Sequence, residues 1–367
     1  SKIKLELREF GARYSKKFGF KFLISAQDQS AKNILEALKI RLENSRDIET
    51  SNAKEALWQI TKRRLLLTSG PQLEQKIAEL VQKYNIQQAQ VSVANDLFSN
   101  QTFAFGTTPD TSFELASLSK SFASCFAIEY FHQKNILLSQ SVNALFNQTP
   151  SDFRIVSLNP EHPEWADQVT IKHLLEHTAL NMHYVNGVAL EQEMPKVSSF
   201  LKSGNAFGYV QVGVDRQPGL KFQYSGGGFV VLEHLIESLE GTNIQDLTKN
   251  FLNEFSPHLS FDQKVKNAAD GYLESGDKLK GSRKMFPAFA AGAMGNSLAV
   301  LQFLSKLTAA FRDVKGSGPI SHSTAVQMLF GRNKGSREFM GADMGLGIFT
   351  LDGGTNRFAL HQGANDG

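Results

Sequence analysis

The stretch Phe113-Glu114-Leu115-Ala116-Ser117-Leu118-Ser119-Lys120-Ser121-Phe122 decides how this chain is read. The apolar run that follows it predicts a helix over residues 119–135, with Ser117 and Lys120 three residues apart, a spacing that puts two side chains on one helix face. A serine hydroxyl is a poor nucleophile near neutral pH and needs a base beside it. A lysine held among apolar helices can lose enough basicity through burial to be that base. The N–H groups and positive dipole end at the helix start lie where an oxyanion would form. A serine and a lysine at this spacing also occur on ordinary solvated first turns, so the surroundings must decide.

Outward from this stretch, a series of further motifs follows in order: Thr170-Ile171-Lys172-His173-Leu174-Leu175-Glu176-His177-Thr178, then Pro218-Gly219-Leu220-Lys221-Phe222-Gln223-Tyr224-Ser225-Gly226-Gly227-Gly228-Phe229, then Ala290-Ala291-Gly292-Ala293-Met294. Gly345-Leu346-Gly347 and His361-Gln362-Gly363-Ala364-Asn365 complete it. No single motif is specific; their collinear order over nearly 300 residues is. The series resembles the class C β-lactamase, D-alanyl-D-alanine carboxypeptidase and esterase family of serine hydrolases. The resemblance implies Ser117 as nucleophile, Lys120 as its base and Tyr224 as the group passing a proton to the leaving group. It implies that His361 stands where a lysine is usual and polarises or orients the substrate. Gly363 and Ala364 would border the oxyanion, held by the N–H groups of Ser117 and Ala364. Taken singly, Tyr224 and His361 would also suit a packed core, and His177 reads as a structural helix end. Tyr224-Ser225-Gly226 lacks the Asn that many β-lactamases carry at its third position, so the resemblance favours an esterase or peptidase over a true β-lactamase. Gly226-Gly227-Gly228 reads as close backbone packing behind Tyr224.

The expected fold is α+β: an antiparallel sheet flanked by helices, with a helical cluster, strands coming from both ends of residues 72–367. Strands are predicted over residues 90–95, 103–106, 346–351 and 357–361, and helices over 73–84, 171–177, 228–239 and 297–311. Residues 68–71, Thr-Ser-Gly-Pro, have turn chemistry and form the linker.

Residues 1–67 form an all-α segment, with Ser30 capping a helix over 31–43 and another helix over 47–67. Tyr14 through Ala26, containing Phe18-Gly19-Phe20, followed by Arg41-Leu42-Glu43-Asn44, Glu49 and Ile60-Thr61-Lys62-Arg63-Arg64-Leu65, resembles the C-terminal half of the 2-oxo-4-hydroxy-4-carboxy-5-ureidoimidazoline (OHCU) decarboxylases of urate breakdown. That resemblance implies ligand contacts at Phe20 and Arg64, positions that would equally suit a core ring and an exposed helix charge. Lys21 and Gln27 stand where the family often has proline and arginine. The family's catalytic histidine and Ser-Glu-Gln cluster belong to a half that would precede Ser1, so both ends of the chain are expected to be cuts through a longer polypeptide.

Composition narrows the partners. Of 367 residues 41% are apolar and 20% charged, enough for sizeable cores, and the 28 phenylalanines point the same way. A net charge of +3 gives no electrostatic reason to expect nucleic acid or an anionic membrane. No run of about 18 apolar residues predicts a membrane span. Cys125 is the single cysteine, in an apolar run, and reads as a buried structural thiol. His132, His162, His173 and His177 lack metal-ligand spacing, so neither metal nor cofactor is expected. The expected partner is a small-molecule substrate, and the oligomeric state stays open. A urate-pathway neighbour favours the cytoplasm over the periplasm that a cell-wall or β-lactam enzyme would need. A silent binding module of the same fold is the other alternative, against which the intact Ser117, Lys120 and Tyr224 argue.

Overall fold

The computed structural model describes residues 2–24, 30–67, 70–95, 98–181, 186–201, 211–281, 283–314, 318–330, 333–353 and 356–365. They gather into two compact units, residues 1–76 with 351–358, and residues 77–350 with 359–367.

The first unit contains the helices Lys2–Phe18, Ala31–Arg41 and Arg46–Leu67. Ser30 caps the second as expected, its hydroxyl accepting from the Asn33 N–H at 3.1 Å. Tyr14, Phe18, Leu38 and Leu42 form its core, with Phe10, Phe20 and Phe22 packed around them. Inside lies one ionised group. Glu49 is fully buried and accepts from Tyr14, from Arg41 Nε at 3.1 Å, from Asn44 at 2.8 Å and from Asn52 at 2.7 Å. Burial alone would raise its pKa, but these hydrogen bonds outweigh it and hold the carboxyl down at about 2.

The second unit is mixed helix and strand. Ala89–Asn95 pairs antiparallel with Phe98–Phe105, Ala89 opposite Phe105. The partner strand is longer than its apolar end suggested, because polar residues from Ser99 to Thr102 carry no alternation signal. Asp343–Met344 pairs antiparallel with Phe349 and Thr350 of the strand Phe349–Gly353. Among the described residues these strands form small antiparallel sheets.

The helix Ser119–Gln133 is buried from Ser119 through Phe131, which explains an apolar pattern on all its faces. Around it pack the helices Gly226–Glu240 and Ser297–Phe311, both foreseen, and Ile244–Asn253 and His322–Leu329, which were not. The last two are started by caps, Asn243 accepting from Asp246 N and Ser321 from Thr324 N. Phenylalanines fill the centre: Phe122 meets Phe303 edge-on at 4.8 Å, and Phe289 packs on Phe261 at 5.4 Å. Cys125 is fully buried among them. Among the described residues no helix is long and apolar enough to cross a membrane.

Candidate active site

Ser117 sits in a tight turn, Ala116–Leu118, directly before the helix Ser119–Gln133. The turn is held from both sides. The Leu115 N–H donates to the Ala293 carbonyl at 2.9 Å, and Glu114 pairs with Met294 in a two-stranded ladder. Ser119 Oγ accepts from Ala293 N at 2.8 Å and donates to the Ala116 carbonyl. Ala116 itself is at φ +45°, a left-handed conformation that costs free energy in a non-glycine residue and recurs at functional sites.

Lys120, 2% exposed, has its Nζ 3.1 Å from Ser117 Oγ and 2.5 Å from the Ala290 carbonyl oxygen. Two rings close over it, with the centroid of Tyr224 5.0 Å and that of Phe229 5.8 Å from Nζ. Burial lowers the pKa of this amine to about 7. The structure thus brings Ser117, Lys120 and Tyr224 together.

Tyr224 is buried and lies just before the helix Gly226–Glu240, whose cap is Ser225. His177, assigned to structure from sequence, turns out to shape this corner. It ends its helix early, at Leu175, by turning to φ +56°. Its carbonyl then accepts from Gln223 N at 2.7 Å and its Nδ1 from Ser225 N at 3.0 Å. The imidazole stacks on Tyr224 at 4.3 Å between centroids. Phe339, 45% exposed, stacks on Tyr224 at 5.1 Å. Gly228 makes only ordinary contact, since a methyl there would lie 3.6 Å from the Leu174 carbonyl oxygen.

Closer backbone approaches are found at Gly363 and Gly347. A Cβ on Gly363 would lie 2.4 Å from Leu115 O and 3.0 Å from Ser117 N, so the segment containing Gly363 and Ala364 runs directly against the nucleophile turn. Asn365 Nδ2 donates to Glu114 at 2.7 Å, tying that segment down. A Cβ on Gly347, at φ +72°, would overlap Ser124 Oγ at 1.8 Å.

His361 is only partly exposed, and its Nδ1 lies 2.8 Å from the Gln362 carbonyl, which can only accept; Nδ1 therefore carries the proton. Nε2 is buried and has no hydrogen-bond partner among the described residues. Burial first, and then the charge of Lys120, push its pKa down to about 4.

Of the positions suggested for ligand contact in the first unit, Phe20 is half-buried in the aromatic cluster, 5.9 Å from Tyr14 and 6.2 Å from Phe18. The side chain of Arg64 lies outside the described residues. Among the described residues no cluster of His, Cys, Asp or Glu is arranged to hold a metal. Surface depressions beside Arg154 and beside His258 do not include Ser117, Lys120 or Tyr224.

Fold and site together define a mixed helix-and-strand protein in which a buried lysine stands beside a partly exposed serine. Residues 73–367 match the Beta-lactamase family, and the chain belongs to that family. Residues 1–66 match the OHCU decarboxylase family. In fold the chain is similar to the D-amino acid amidase of Ochrobactrum anthropi SV3, with 16% identity, TM-score 0.58, and 78% of this chain and 81% of that one covered. It is also similar to an octameric penicillin-binding protein homologue from Pyrococcus abyssi, with 20% identity, TM-score 0.53, and 77% and 65% covered. A class C β-lactamase matches at 19% identity, TM-score 0.53, with 75% and 72% covered. The chain spans 65% of the length of the Pyrococcus abyssi homologue and 64% of SurE, another similar structure. No curated protein matches the chain.

Proposed function

We propose that residues 72–367 are a serine hydrolase that cleaves an ester or amide through an acyl-enzyme. The observation that carries this is the buried Lys120 amine, at a pKa of about 7, within hydrogen-bonding distance of Ser117 Oγ. In its neutral form Lys120 takes the proton of Ser117 as Oγ bonds to the substrate carbonyl carbon. The resulting oxyanion lies at the N–H groups of the nucleophile turn and of Ala364, donors that cost no reorganisation in the transition state. Collapse breaks the bond to the leaving group, which leaves with a proton delivered by way of Tyr224. Water then attacks the acyl-Ser117 ester, returning the proton to serine and releasing the acid.

Two features favour an esterase or amidase over a β-lactamase. Gly226 supplies no side chain to hold a substrate amide. His361, neutral at pH 7, offers the Nε2 lone pair rather than a cation, so nothing at that position pairs with a substrate carboxylate. The exposed face of Phe339 beside Tyr224 gives an apolar wall for a short acyl group. The test compares p-nitrophenyl butyrate with nitrocefin. The ester should show the higher kcat/KM and Ser117→Ala should abolish its turnover; a higher kcat/KM on nitrocefin would reverse the assignment.

A second reading concerns the acyl substrate and rests on the OHCU decarboxylase match over residues 1–66. The chemistry of that family ends in a cyclic ureide, and a serine hydrolase that opens ring amides would act on such a product. On this reading the Ser117 site hydrolyses the ring amide of a ureide such as allantoin.

A further inference from the structure

Glu233 is 2% exposed and takes no part in the steps above. It stands on the helix Gly226–Glu240, four residues after Phe229, so the two share one face. Phe229 closes over Lys120. Its Oε2 accepts from Phe289 N at 2.9 Å, and the Ala288 N–H lies close enough to favour the charged carboxyl. Those two N–H groups open the single turn Ala288–Ala291, whose Ala290 carbonyl accepts from Lys120 Nζ. Pro287, at the cap position, supplies no side-chain hydrogen bond to them. This turn closes bonds only from Ala291 N to Pro287 O and from Gly292 N to Ala288 O, so its leading N–H groups depend on a partner from outside.

We propose that Glu233 is a positioning residue for the reaction: it fixes the Ala288–Ala291 turn and thereby sets where the Ala290 carbonyl holds Lys120 against Ser117. The proposal rests on the serine hydrolase reading. A buried carboxyl is an expensive way to fill a core that Leu or Met would fill better, so its use here calls for the acceptor it supplies. Burial, helped by Glu237 on the same helix, raises its pKa to about 8. The turn Ala288–Ala291, which packs on this helix and takes the Glu233 hydrogen bond, carries no titratable side chain. At pH 7 Glu233 is therefore neutral, and what it contributes is an oxygen in the right place rather than a charge.

Three proteins test this: wild type, Glu233→Gln, which keeps an oxygen acceptor, and Glu233→Met, which keeps the volume and loses it. Lys120 is followed by 13C-lysine NMR across pH, beside kcat and KM for p-nitrophenyl butyrate and thermal unfolding. Glu233→Gln should match wild type within about twofold in kcat, with the same Lys120 midpoint. Glu233→Met should unfold cooperatively, lose about tenfold in kcat with KM little changed, and titrate Lys120 about one pH unit lower, because the carbonyl that favours the ammonium has drifted away. A Glu233→Met protein with wild-type kcat and midpoint, or a Glu233→Gln protein as impaired as Glu233→Met, overturns the proposal. Should Glu233→Met fail to fold, Glu233→Asp, which draws the carboxyl back by one methylene, takes its place with the same expectations. Wild type inactive on the ester would refute the hydrolase reading, while the Lys120 midpoints would still decide the role of Glu233.

Discussion

On the proposed hydrolase reading Lys120 is the base, and its environment sets a pH dependence. Only the neutral amine can take a proton from Ser117, and burial places its titration at about 7. kcat/KM on an ester should therefore rise with pH through an acid limb centred near 7 and level off above it. An acid limb near 5 would point to a different base. Lys120→Ala should cost roughly a thousandfold, as loss of a general base does, and about as much as Ser117→Ala, because the two act as one unit. A fluorophosphonate probe read by intact mass supplies the covalent check: one adduct on wild type and none on Ser117→Ala. The pair was legible from sequence because its geometry is local, three residues along one helix start. The Ala290 carbonyl was not, since a main-chain oxygen has no signature in a side-chain pattern. His177 shows the same limit from the other side: its side chain could be read as a helix end, but its hold on Ser225 spans 48 residues.

At the level of elements, the helices were read well where an apolar stripe or an all-apolar run spans them, as in residues 119–133 and 297–311. They were missed where a cap starts the helix without a strong stripe being recognised, at Asn243 and Ser321. Of the three glycines at 226–228, Gly228 makes only van der Waals contact, whereas Gly347 and Gly363 are each brought tightly against residues far away in the chain. Gly347→Ala meets both a left-handed backbone and Ser124 at 1.8 Å, so it should destabilise by about 2 kcal/mol or more in denaturant unfolding. The helical unit at the start of the chain makes a contrasting prediction. Glu49 is held at about 2 in the folded protein, below its ordinary value of 4.5, so its contribution is present above 4.5 and lost as the pH falls toward 2. Glu49→Ala leaves Arg41 without its buried partner and should cost about 3 kcal/mol at neutral pH, with much of the difference from wild type vanishing in acid. An equal loss at pH 2 and pH 7 would show that packing rather than charge is at work.

The whole molecule sets two family matches side by side on one chain, Beta-lactamase over residues 73–367 and OHCU decarboxylase over residues 1–66. Residues 1–66 contain no histidine, so whatever they bind, they bring none of the imidazole chemistry that the decarboxylase resemblance assigns to catalysis. On the proposed reading the reaction takes place around Ser117, and the decarboxylase match suggests a substrate class for it. A hydantoin ring is far less strained than a β-lactam, so opening it demands more from the oxyanion donors and from positioning than a lactam or an activated ester does. Turnover of allantoin should accordingly be slower than that of p-nitrophenyl butyrate while depending on the same residues. The chain is incubated with allantoin and allantoate is followed by chromatography, beside Ser117→Ala. Product from wild type and none from the variant would assign the ureide to this site. Equal product from both, or none from either, would confine Ser117 to other esters and amides and leave the ester hydrolase reading standing on its own measurements.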